Sequence, residues 1–145
     1  MAKTCLITGA SSGMGKATAL HYAANGRQVY AVARSTDKLA ELAKGNSHIK
    51  PVSLDVTDSV ALANWTAGLP AGQKLDAVIL NAGTCEYVEV ADLDLAAFER
   101  TFAVNVQGVV ACTRYLLPLL NKGSQPTLAI VSSMSHFFPF TRAEA

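Results

Sequence analysis

Thr4-Cys5-Leu6-Ile7-Thr8-Gly9-Ala10-Ser11-Ser12-Gly13-Met14-Gly15 decides the fold. Its first five residues are β-formers with no polar alternation, as in a strand buried on both faces. Glycines follow at once, and a helical pattern runs from Met14 to Asn25, with Met14, Ala17, Thr18 and His21 on one face. Gly26 follows as the residue past the helix end. A strand running straight into a glycine-rich turn and a helix is a phosphate-binding arrangement. The turn brings backbone close to a ligand, and the helix N-terminus offers unpaired N–H groups and a positive dipole end. Lys16 invites a P-loop reading, but Ala10 stands where that motif needs glycine, and Ala17 follows the lysine. A tight turn that holds no ligand is the plain alternative.

Outward from this turn, short apolar runs keep alternating with helical patterns. Val29 to Ala33 reads as a second strand, Ile49 to Leu54 as a third, Leu75 to Leu80 as a fourth and Thr127 to Val131 as a fifth. Between them, Thr36 can cap a short helix with Leu39 and Leu42 inward, and another helix spans about Asp58 to Trp65. A long helix runs from about Leu95 to Leu117, with Phe98, Phe102, Val106, Val109 and Thr113 stacked on it and Pro118 and Gly123 closing it. Uniformly apolar strands alternating with helices make an α/β fold: a doubly wound parallel sheet, Rossmann-like, in the order 3-2-1-4-5. Pro51 suits this order, because it puts strand 3 at an edge, where proline is tolerated.

Composition narrows the function. The chain has 145 residues, half of them apolar, with 12 Lys and Arg against 11 Asp and Glu. That predicts one folded domain over residues 1–145, excludes a disordered chain, and argues against a nucleic-acid partner, which needs surplus positive charge. Cys5, Cys85 and Cys112 are too widely spaced for a zinc motif and odd in number, so reduced thiols and no metal site are expected. The first apolar stretch breaks at Gly9, too short for a signal peptide, and Arg114 and Pro118 interrupt the longest apolar run. The expectation is a soluble, cytoplasmic protein without membrane contact.

The end of strand 2 sharpens the ligand. Dinucleotide folds that take NAD place a carboxylate there for the ribose 2′-hydroxyl. This sequence has Ala33 and then Arg34, a cation that can pair with a 2′-phosphate and cannot accept from a hydroxyl. NADP(H) is therefore favoured over NAD(H), against the alternative that Arg34 is a solvated surface charge.

These residues together resemble the short-chain dehydrogenase/reductase family over essentially the whole chain. Thr8 to Gly15 looks like its cofactor turn, with Gly9, Ser11, Ser12, Gly13, Met14 and Gly15 as binding residues. Leu54-Asp55-Val56-Thr57-Asp58 is similar to the family segment in which the Asp and its successor, here Asp55 and Val56, contact adenine. Asn81-Ala82-Gly83 resembles the motif that lines the cofactor and steadies the sheet. Val104-Asn105-Val106-Gln107-Gly108 matches the segment of the active-site asparagine, and Ile130-Val131-Ser132-Ser133 that of the active-site serine. Gly9, Arg34, Asp55, Asn81 and Ser133 all fall just past strand ends, where open α/β sheets bind ligands.

The resemblance implies hydride exchange between an alcohol or carbonyl substrate and a nicotinamide. It implies Ser133 on the substrate oxygen and Asn105 holding a water in the proton relay. It also implies a tyrosine whose pKa a nearby lysine lowers, since an ordinary phenol near pKa 10 exchanges protons poorly at neutral pH. That tyrosine is expected roughly thirteen residues after the serine, immediately past Ala145. Tyr22, Tyr30, Tyr87 and Tyr115 lie in the wrong segments. The reading therefore expects a C-terminally incomplete domain, continuing by roughly another half to two-thirds of this length. Pairing of the long helix, near Phe98 to Leu117, into a homodimer or homotetramer is implied as well. Phe137-Phe138-Pro139-Phe140 reads as a substrate wall or as core, and His136 as loop structure. A non-catalytic dinucleotide-binding or sensor protein, or an inactive fragment of the enzyme, is the competing reading.

Overall fold

The computed structural model describes residues 3–86, 94–123 and 125–134. Five parallel strands form one sheet: β1 (Thr4–Thr8), β2 (Gln28–Ala33), β3 (Ile49–Ser53), β4 (Ala77–Leu80) and β5 (Thr127–Ile130). Their order is β3-β2-β1-β4-β5, as the sequence pattern predicts. The helices are α1 (Gly13–Ala24), α2 (Thr36–Ala43), α3 (Ser59–Ala67), α4 (Leu95–Phe102) and α5 (Gly108–Leu120). A π-helical turn, Ala103–Gln107, joins α4 to α5 without a break.

The pleat of the central strands explains why they are apolar throughout. Leu6, Tyr30 and Val78 point to one side of the sheet, where Leu62 of α3 and Cys112, Leu116 and Leu120 of α5 cover them. Cys5, Ile7, Val29, Ala31 and Ala77 point to the other side, under Ala19 and Ala23 of α1 and Leu39 and Leu42 of α2. Two cores thus share one sheet, and no residue of β1 past Thr4 meets water. Pro51 lies on the edge strand β3, opposite Ala31, so its missing N–H costs no ladder bond in the interior.

Several local expectations change. On α1 the sheet-facing residues are Gly15, Ala19 and Ala23, while Met14, Ala17 and His21 face solvent. Small residues at i, i+4 and i+8 let the helix lie close to the strands, a stripe that hydrophobicity does not advertise. On the long helix Phe98, Phe102 and Val106 stand exposed, and Ala97, Thr101, Gly108, Cys112 and Leu116 turn inward. Pro118 does not close α5, because Asn121 still donates to the Leu117 carbonyl one turn on. Ser35, not Thr36, occupies the cap of α2, and Thr36 bonds Ser53 instead. The helical run Leu95–Leu120 contains an 18-residue window with a mean hydropathy of 1.3, enough by length and composition alone for a membrane span. Its residues Cys112, Leu116 and Leu120 are nonetheless part of the core against the sheet. His136 and the 137–140 run lie outside the described residues, as does Tyr87.

Candidate cofactor site

The connections after β1, β2, β3 and β4, at the C-terminal edge of the sheet, open into one cavity of about 700 Å³. The strand tips set its walls. Gly9 to Met14 form one wall, Val32 to Ser35 the next, Leu54 to Thr57 the third, and Asn81 to Thr84 the fourth. Of the residues expected to bind cofactor, Gly9, Ser11, Ser12, Gly13, Met14, Arg34, Asp55, Val56, Asn81, Ala82 and Gly83 all line it.

The glycine turn is built by exclusion of side chains. Gly9 has φ +67°, and a Cβ there would sit 2.9 Å from the Ala82 Cα. A Cβ on Gly15 would collide with the Gly9 carbonyl oxygen and with the Asn81 amide. Gly15 therefore lies behind the cavity wall, where it lets α1 abut the turn. The start of α1 has no side-chain cap, since the Ser12 hydroxyl makes no capping bond. Its first N–H groups are left for water or an anion. A glycine cradle beside an uncapped helix N-terminus fits a dinucleotide pyrophosphate.

Hydrogen bonds tie the fourth wall to the first. The Thr8 hydroxyl accepts from the backbone N–H groups of Asn81 and Ala82, at 3.0 Å each. The Asn81 amide donates back to the Thr8 carbonyl at 3.2 Å. One buried threonine thus locks β1 to the loop after β4. Sequence reading gave Thr8 no role beyond starting the motif.

Asn105 sits inside the π-helical turn, a wide turn common at functional sites. Its amide grips one residue of the β4 loop from both sides. Oδ1 accepts from the Thr84 N–H and Nδ2 donates to the Thr84 carbonyl, both at 2.8 Å. Both partners are backbone groups, and although Asn105 is exposed, the pair of bonds places it directly beside the cavity-lining Thr84. Ser133 follows β5 at the same edge of the sheet, but it does not line this cavity among the described residues.

Asp55 makes no cap for α3; Asp58 does, accepting from the Ala61 N–H at 2.8 Å. Asp55 instead closes a local turn in which its Oδ1 accepts from the Thr57 N–H and hydroxyl, at 2.9 and 2.8 Å. Its Oδ2 faces the Arg34 guanidinium at 3.8 Å, and Arg34 is three-quarters exposed. Glu86 and Arg100 also line the cavity, and no sequence pattern singled them out. They form a fork, with Arg100 Nε donating to Glu86 Oε1 at 2.9 Å and Nη2 to Oε2 at 2.7 Å. The hydrogen bonds from Arg100 hold the Glu86 carboxyl below its ordinary pKa, and those same bonds raise that of Arg100.

Comparison with known proteins agrees with this geometry. The family model for short chain dehydrogenase matches residues 3–145. The Oxidoreductase BOA17 of Botryotinia fuckeliana is 35% identical over 137 residues, covering 92% of this chain and 50% of that protein. The NADPH-dependent 1-acyldihydroxyacetone phosphate reductase of Saccharomyces cerevisiae is 36% identical over 146 residues, covering 95% and 48%. A short chain dehydrogenase of Escherichia coli CFT073, solved with NADPH, superposes with a TM-score of 0.86 at 26% identity, covering 98% of this chain and 63% of that one. The chain spans about half the length of the curated relatives it matches. With its sheet order, its glycine turn and the family match over nearly its whole length, the chain belongs to the short-chain dehydrogenase family of oxidoreductases.

Proposed function

We propose that this chain carries the cofactor half of an NADP(H)-dependent oxidoreductase that interconverts an alcohol and a carbonyl. The observation that carries the reading is Arg34, a cation on the cavity wall at the tip of β2, where NAD-type folds keep a carboxylate. An NADPH-dependent relative and an NADPH-bound structural neighbour support the same choice. When bound, the nicotinamide supplies or accepts the hydride.

The chain's own residues would divide the remaining work. Backbone N–H groups around Gly13 and Met14 hold the pyrophosphate, and Arg34 pairs with the 2′-phosphate. Asp55 and Val56 face the adenine, and Asn81 to Gly83 line the cofactor. Asn105 and Ser133 serve the proton relay and the substrate oxygen. Arg34→Ala tests the reading. It should weaken NADPH binding about tenfold or more, the size of a charge-assisted contact, and leave NADH within about twofold. Equal losses for both cofactors, or none, contradict it. We also propose that copies of the chain pair through the exposed apolar face of α4 and the π-helical turn, where the Phe98 and Phe102 rings stack 6.1 Å apart.

A further inference from the structure

The loop after β4 is held against the long helix at two points. One is the Asn105 amide on Thr84; the other is the fork between Arg100 and Glu86. Arg100, Ala103 and Val104 share a helix face, and all three line the cavity together with Glu86. Glu86 therefore brings a carboxylate into the wall of a cavity whose other features favour an anion. The cavity's charged side chains are Arg34, Asp55, Glu86 and Arg100, two of each sign. Without Arg100 the lining would carry a net negative charge, facing a ligand that is itself polyanionic.

We propose that Arg100 is a positioning residue for the cofactor: by clamping Glu86 it fixes the β4 loop as a cavity wall and cancels a carboxylate that would repel the dinucleotide. The inference rests on the cavity being a dinucleotide site, and it adds a function for two residues that do not belong to the glycine turn or the ribose end. The clamp is local in space and distant in sequence. Glu86 and Arg100 are fourteen positions apart, on a loop and a helix that no backbone ladder joins. Both side chains are partly open to solvent, 59% for Arg100 and 32% for Glu86, so either can be changed without leaving a charge buried in the core.

The test is a double-mutant cycle on NADPH affinity, read by cofactor fluorescence in the 145-residue chain, with thermal melting of each variant alongside. Arg100→Met should weaken NADPH about fivefold at low ionic strength, and less at high salt, because the exposed carboxylate it frees is screened. Adding Glu86→Gln to that variant removes the repulsion, so the double variant should bind more tightly than Arg100→Met alone. A role confined to folding predicts the reverse, with the double variant as weak or weaker. Arg100→Lys keeps the cation and loses the fork; it should bind more tightly than Arg100→Met, and it serves in place of that variant if the latter does not fold. In that case, tighter binding by a Glu86→Gln, Arg100→Lys double variant than by Arg100→Lys alone supports the proposal. Wild-type affinity in Arg100→Met, or no recovery in the double variant, overturns the proposal. A wild-type chain that binds neither NADPH nor NADH defeats the reading of the cavity, and this inference with it. A wild type that binds while its variants match it defeats this inference alone.

Discussion

Gly15 shows how a single residue can couple fold to function. It has no side chain because the Gly9 carbonyl and the Asn81 amide occupy the space a Cβ would need. Both obstacles belong to the cavity wall, so relief of the clash must move that wall. Gly15→Ala should cost about 1–3 kcal/mol, as overpacking does, and should abolish measurable NADPH binding; urea unfolding and cofactor titration check the two halves. A variant with native stability and native affinity would contradict the packing. The thiols make a second residue-scale case. Burial pushes Cys5 up to about 12 and Cys112 up to about 11, from an ordinary 9.0. Below pH 9 the folded and unfolded chains both keep these protons, and neither thiol alters stability. Above it the unfolded chain ionises first, so stability is lost progressively toward pH 11 to 12. The urea midpoint should fall between pH 8 and pH 10, and the fall should be smaller in Cys112→Ala.

At the scale of elements, the sheet was legible and the helix faces were not. Val29 to Ala33 and Leu75 to Leu80 contain too many apolar residues in a row for anything but buried strands, and the topology follows from their alternation with helices. Helix orientation failed where packing used small residues. Gly15, Ala19 and Ala23 face the sheet, a different face from the one that Met14, Ala17, Thr18 and His21 share by spacing. On the long helix, spacing alone stacked Phe98, Phe102 and Val106 without telling core from contact surface, and they form an exposed apolar face. That face gives the oligomer proposal its test. Phe102→Asp should shift the chain from a larger species to a monomer in analytical ultracentrifugation, with little change in melting temperature. An unchanged sedimentation profile argues against pairing through this surface.

At the scale of the whole molecule, the binding edge is a consequence of topology. Parallel strands bring every C-terminal tip to one side, so residues from 9 to 104 in sequence meet around one cavity. The turn, Arg34, Asp55 and Asn81 were legible because each follows a strand end. Thr8, Thr84, Glu86 and Arg100 were not. Their roles come from contacts across the gap between loop and helix or between neighbouring strands, which no local pattern encodes. The most direct measurement is titration of the wild-type chain with NADPH and with NADH under one set of conditions. The charge of Arg34 at the ribose end predicts NADPH at least about tenfold tighter. Equal affinity, or tighter binding of NADH, would contradict the assignment of this cavity to NADP(H).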